Sequence, residues 1–165
     1  MQAIDYLRYI VEQIHSTVFA TVDAQGCPVT CAIDMMDCDE DGLYFLTAKG
    51  KSFYRRLQEN GNVAFTAMKG KDTLSCVAVS VQGKVRELGP QKIPELFAKN
   101  PYMEKIYPDP ASRSALTVFR IEEGTGEWFD LAKLPIARAS FSVGGGRPEA
   151  GGYFVTDRCI GCKLC

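Results

Sequence analysis

Cys159, Cys162 and Cys165 sit in a Cys-x₂-Cys-x₂-Cys run, the densest metal-ligating chemistry in the sequence. A tight turn, eased by Gly161, aims successive thiolates at different irons of one iron–sulfur cubane. The same thiolates suit Zn²⁺, although a structural zinc site takes four ligands and usually two separated pairs. Nothing follows Cys165, so the fourth ligand of a 4Fe–4S site is not supplied by this run. The expectation is the stub of a cluster-binding segment rather than a complete centre.

A second concentration of chemistry lies at Thr47-Ala-Lys49-Gly-Lys51-Ser52. An apolar strand ends at Thr47, and a short helix begins near Ser52. Free backbone N–H groups at that helix start, two hydroxyls and one or two ammonium groups together suit a phosphate. The alternative is an ordinary Ser-capped junction with solvated lysines. The segment is not a P-loop, which requires Gly-x₄-Gly-Lys-Ser/Thr.

Elements of a β-rich fold position these groups. Ile4, Leu7, Ile10, Val11 and Ile14 recur at helical spacing and predict an amphipathic first helix. Thr17–Asp23 alternates as a strand, and a turn at Ala24-Gln-Gly26 returns the chain as Pro28–Asp37. Asp39-Glu-Asp-Gly42 leads into Leu43–Ala48, and a helix from Ser52 to Asn60 is stopped by Gly61. Asn62–Met68 and a long Leu74–Leu88, kinked near Gly83, are further strands. Pro90–Pro110 reads as one or two short helices. Ala115–Glu123 and Gly126–Leu131 read as a hairpin across Glu123-Gly-Thr125, with a last strand at Ala139–Val143. The pattern predicts a mostly β (α+β) fold: six or seven antiparallel strands in a closed or nearly closed barrel, with peripheral helices. Residues 1–143 form the barrel domain, 144–152 a Gly-rich linker, and 153–165 the cysteine segment.

At 165 residues the chain has room for a proper core. Its net charge of −1 provides no basic field for nucleic acid or an anionic membrane. No stretch approaches the roughly 20 apolar residues of a membrane span. The charged residues Asp5, Arg8 and Glu12 exclude a signal peptide at the N-terminus, so a cytoplasmic location is expected. The seven cysteines are odd in number and three of them crowd into the last seven positions, which favours a reduced compartment. Cys27, Cys31, Cys38 and Cys76 read as small buried hydrophobes.

The order of elements carries a family resemblance. Phe19-Ala-Thr-Val22, Gly42-Leu-Tyr-Phe-Leu-Thr47, Lys51, Asn60-Gly-Asn-Val63 and Val79-Ser-Val-Gln-Gly83 together resemble the pyridoxamine 5′-phosphate oxidase-like FMN-binding split-barrel family over roughly Met1 to Leu131. The resemblance implies a homodimer with FMN at its interface. It implies that Thr47, Lys51 and Ser52, with Lys49 beside them, hold the phosphate, and that Thr30, Cys31, Ala32 and Ile33 run beside the isoalloxazine. The sequence departs from the pattern where many members carry an Arg in the second strand: here Val29 and Thr30 follow Pro28. The oxidase's C-terminal substrate-binding segment is also not recognisable, so the oxidase's own reaction is not expected. The stretch Tyr153–Arg158 before Cys159 resembles the strand that precedes the first ligand of bacterial-type 4Fe–4S ferredoxins.

Trp128 is either a flavin-stacking residue or, by default, part of the core. His15, the single histidine, is expected at a helix end and excludes a His-based metal centre. Asp34, Asp37, Asp39, Glu40 and Asp41 read as a solvated hairpin end. The functional expectation is an FMN-dependent oxidoreductase fed by an electron donor such as ferredoxin or NAD(P)H, and once coupled to an iron–sulfur module. Two alternatives stand beside it: a non-catalytic split barrel that binds or senses FMN or haem, and a zinc-binding interaction module.

Overall fold

A computed structural model describes residues 1–148 and 157–161. Helix α1 (Ala3–Tyr9) opens with the Gln2 N–H donating to Asp5 Oδ2 at 2.8 Å, and it continues as a π-helical turn over Ile10–Ile14. Tyr6, Leu7 and Ile10 form its buried stripe, as the sequence spacing predicts. The helical run ends at His15, whose φ of 69° breaks it.

Eight strands form one antiparallel sheet among the described residues: β1 (Ser16–Val22), β2 (Pro28–Asp34), β3 (Asp37–Asp39), β4 (Gly42–Ala48), β5 (Asn62–Lys69), β6 (Val77–Gly89), β7 (Leu116–Asp130) and β8 (Ala137–Val143). The path runs β2-β1-β5-β6-β7-β4-β3, with β8 on β7. Its two end strands, β2 and β3, are consecutive in the chain and separated only by Met35 and Met36. Those two residues close the barrel: the Met35 N–H donates to His15 O and the Met36 N–H to Tyr44 O, both at 2.8 Å. Beyond this pinch β2 pairs only with β1, and Phe45–Ala48 of β4 pairs only with β7. The barrel is split there, and helix α2 (Ser52–Glu59) covers the opening with Phe53 and Leu57 buried.

Alternation in β1, β4 and β5 puts Phe19, Phe45 and Phe65 inside, where Phe119 joins them. Ring centroids lie 5.1 Å apart for Phe19 and Phe45 and 5.6 Å apart for Phe45 and Phe119. Each such ring contributes about 1.5–3 kcal/mol of burial. A second cluster lies outside β4 and β7, where Tyr44, Leu116 and Val118 meet Leu96, Phe97 and Met103 of α3 (Ile93–Lys99) and α4 (Met103–Ile106). These two helices are the short ones expected over Pro90–Pro110, and helix α5 (Pro110–Ser114) follows them.

The expected hairpin at Glu123-Gly-Thr125 is not formed. β7 runs straight through as fifteen residues, pairing with β4 in its first half and β8 in its second. Glu123 and Gly124 form a bulge opposite Gly83, with Glu123 at φ 51°. A Cβ on Gly124 would lie 2.5 Å from the Gln82 carbonyl, so glycine there permits close strand approach rather than reversal. The kink expected near Gly83 is this same feature. The actual hairpin joins β7 to β8 across residues 131–136.

The acidic group is a solvated hairpin end only at Glu40 and Asp41, which are exposed in the β3–β4 turn, while its other members are half-buried and find partners. Asp37 pairs with Lys99 at 2.6 Å, Asp39 accepts from the Tyr44 hydroxyl at 2.7 Å, and Asp41 pairs with Arg120 at 3.0 Å. Of the scattered cysteines, Cys76 is buried and Cys27 exposed, with Cys31 and Cys38 between. No helix among the described residues is long and apolar enough to cross a membrane.

Candidate functional site

The strand-to-helix junction after β4 builds an anion-receptive corner at the split. Thr47 is the last buried residue of β4, and Ala48 and Lys49 turn the chain, with the Lys49 N–H donating to Ala115 O at 2.9 Å. Lys51 is extended and caps α2 while making no side-chain cap bond, and Ser52 opens the helix. The first-turn N–H groups of α2 therefore point out of the helix without a capping side chain. Lys49, Lys51 and Ser52 are exposed, and Lys49 and Lys51 pair with no carboxylate among the described residues.

Strand β2 lies across the split. Its alternation turns Cys31 and Ile33 inward, partly buried against the core, and leaves Thr30 and Ala32 exposed on the outer face. The candidate second-strand residues thus divide between two faces. Burial raises the Cys31 thiol above its usual range, while the charges of Arg56 and then Lys51 pull against it. The charges of Arg56 and Lys51 therefore both act on the Cys31 thiol, although nineteen residues of chain and two strands lie between Cys31 and Lys51. Arg56 is the residue that sequence reasoning missed. Its one sequence signal is its place a helical turn after Ser52.

The outer face of β1, β5 and β6 forms an open groove of ≈ 1060 Å³ that continues onto β2 at Thr30. Small side chains floor it: Ala20, Ala64, Thr66 and Ser80. Val18 and Met68 on the same face are 62% and 63% exposed. Trp128 is not on this face. It is buried against Tyr6 and Tyr9, with centroids 5.4 and 4.7 Å away.

His15 engages a different element, its Nε2 lying 2.8 Å from the Tyr102 hydroxyl. Cys159 is exposed, and its Sγ accepts the Gly161 N–H at 3.4 Å. Cys162 and Cys165 lie outside the described residues, and no group of three metal-ligating side chains occurs among the described ones. Gly144 to Gly146, placed in the expected linker, pack on the β7 bulge: the Glu123 N–H donates to Gly144 O at 3.0 Å. Residues 149–152 of that linker and 153–156 of the cysteine segment lie outside the described residues.

The pyridoxamine 5′-phosphate oxidase family model matches residues 4–126. No curated protein matches by sequence. Among solved structures, a NimC/NimA family protein from Clostridium acetobutylicum superposes with a TM-score of 0.66 at 15% identity, covering 86% of this chain and 95% of that one. A pyridoxamine 5′-phosphate oxidase-related, FMN-binding protein from Nostoc punctiforme PCC 73102 superposes with a TM-score of 0.57 at 12% identity, over 82% and 86% of the two chains. The haem storage protein HutZ from Vibrio cholerae superposes with a TM-score of 0.58 at 14% identity, over 88% and 98%. At such identities the likeness shows the fold, a mostly β antiparallel split barrel.

Proposed function

We propose that this chain, which belongs to the pyridoxamine 5′-phosphate oxidase family, is an FMN-dependent oxidoreductase that works as a homodimer. The observation that carries this reading is the corner at the split. There Lys51, Ser52 and the uncapped first turn of α2 come together, with the Lys51 charge acting on Cys31 of β2 and no described carboxylate paired to the lysines. That donor set fits a phosphate monoester: cations and aligned N–H groups favour a dianion, and Lys51 neutralises charge there rather than moving protons. When bound, FMN supplies a two-electron carrier that can also pass single electrons. The protein orients the flavin along β2 and excludes water from one of its faces.

The groove on β1, β5 and β6 supports the dimer. A floor of small side chains rimmed by exposed Val18 and Met68 suits a second copy laid against it. An interface there would wall the flavin on its open side. NAD(P)H or a ferredoxin would supply the electrons. The run Cys159, Cys162 and Cys165 fits an iron–sulfur module as the adjoining carrier, since a thiolate-rich turn is that module's ligand set.

A titration of purified protein with FMN tests the reading. Yellow protein that releases FMN on denaturation is the expected result, and Lys51→Ala should weaken binding by roughly 10-fold or more. Colourless protein that takes up no flavin on soaking would refute it. Haem is the second reading, favoured by the fold shared with the haem storage protein. A Soret band with bound haem and no flavin would favour it. Against it stands the single histidine, whose Nε2 already bonds Tyr102. Flavin and iron–sulfur bands are distinct, so a spectrum of anaerobically prepared protein also tests the cysteine run.

A further inference from the structure

Helix α2 sorts its side chains into stripes, because residues four apart share a face. Phe53 and Leu57 enter the core. Tyr54 and Gln58 both donate to Glu87 Oε2, at 3.2 and 2.8 Å. Arg55 faces Glu59 at 3.9 Å. The remaining stripe, Ser52 and Arg56, faces the split.

Arg56 is held in a defined direction there. Its Nε donates to Thr21 Oγ1 at 2.7 Å, and Thr21 is only 1% exposed. Its guanidinium carbon lies 6.0 Å from the centre of the Phe53 ring, three residues back. Helical side chains lean toward the N-terminus, so Arg56 reaches back over the first turn of α2, the turn that Ser52 opens. Its remaining N–H donors have no acceptor among the described residues, and it pairs with no described carboxylate. β2 has no basic residue between Pro28 and Asp34, yet the charges of Arg56 and Lys51, both from the α2 segment, act on Cys31.

We propose that Arg56 is a ligand of the FMN phosphate, completing the anion site begun by Ser52 and Lys51, and that it makes the site select FMN over riboflavin. The proposal rests on the FMN reading above. A guanidinium anchored at Nε keeps its two outer nitrogens for a bidentate grip on phosphate oxygens. Riboflavin, ending in a hydroxyl, offers that fork no charge.

The test compares FMN and riboflavin binding to wild-type protein, Arg56→Gln and Arg56→Lys. Arg56→Gln keeps a stem and an amide donor for Thr21 while removing the charge. It should weaken FMN binding by roughly 10- to 100-fold and leave riboflavin binding unchanged. Arg56→Lys should recover part of the loss, because it restores a point charge without the fork. An equal fall for both flavins would overturn the proposal, since Arg56 would then serve the fold. Unchanged FMN binding in both variants would also overturn it while leaving the FMN reading intact. Wild-type protein that binds neither flavin refutes the FMN reading itself, and the proposal with it.

Discussion

Tyr102 donates its hydroxyl hydrogen to Asp34 Oδ2 at 2.7 Å across 68 residues of sequence. With that hydrogen committed, the same oxygen accepts from His15 Nε2 at 2.8 Å. Ser16 donates to the other carboxylate oxygen at 2.6 Å. The pair ties the start of α4 to the end of β2, beside the pinch that closes the barrel.

Burial alone would raise the Asp34 carboxyl, but hydrogen bonds from Ser16 and Tyr102, with the His15 charge, hold it below the usual carboxylate range. A depressed folded-state value means the contribution is present above the ordinary aspartate range. It is lost as pH falls through the folded-state value. Tyr102→Phe should lower stability at neutral pH by about 1 kcal/mol, discounted for partial exposure. It should also flatten the acid limb, measured as urea unfolding free energy against pH. An acid limb identical to wild type would show that the pair does not carry it.

Gly126 lies directly across from Phe141 in the β7–β8 ladder, and any Cβ there would collide with the Phe141 ring. That ring stacks on Tyr6 at 4.7 Å. Gly126→Val should therefore lift Phe141 off α1 and cost about 1–3 kcal/mol by overpacking. Thermal denaturation reads the loss, and near-UV circular dichroism reads the disturbed aromatic cluster.

A charge on the groove floor should separate the proposed dimer while sparing the barrel, whose core faces the other way. Ala64→Arg is the informative variant, since Ala64 is exposed on β5 and lines the groove. Sedimentation should show a dimer for wild-type protein and a monomer for the variant, with flavin affinity falling alongside. A wild-type monomer that binds FMN at full affinity would remove the dimer from the reading.

Trp128 offers a contrast, because its contacts are with α1 rather than with the groove. Trp128→Phe should lower stability by about 1–2 kcal/mol and leave FMN affinity unchanged. Unchanged unfolding with weakened FMN binding would instead put Trp128 on the flavin.

Much of the fold was legible because strand and helix periodicity are local. Thr17, Phe19 and Thr21 alternate inward as their spacing predicts, and Leu7 and Ile10 share one helical face. The Glu123-Gly124 bulge was not legible. A glycine at a chain reversal and a glycine at a bulge look alike in sequence, and only Gly83 on the neighbouring strand distinguishes them. The partners of Asp37 and Asp41 were hidden for the same reason: Lys99 and Arg120 reach them from distant elements.

For the candidate site, the sequence by itself determined the donor types: hydroxyls at Thr47 and Ser52, ammonium groups at Lys49 and Lys51, and a helix beginning beside them. Residue chemistry and helix starts are properties of a few neighbouring positions. Only the tertiary structure decided that Cys31 turns inward on β2 while Thr30 turns outward, and that Arg56 of α2 is tied to Thr21 of β1. The split exists because the Met35-Met36 pinch is the one place among the described residues where the end of β2 is joined across to β4, and the two strands stay unpaired away from it, leaving an opening for α2 to cover. That parting follows from packing the whole barrel, and no local pattern encodes it.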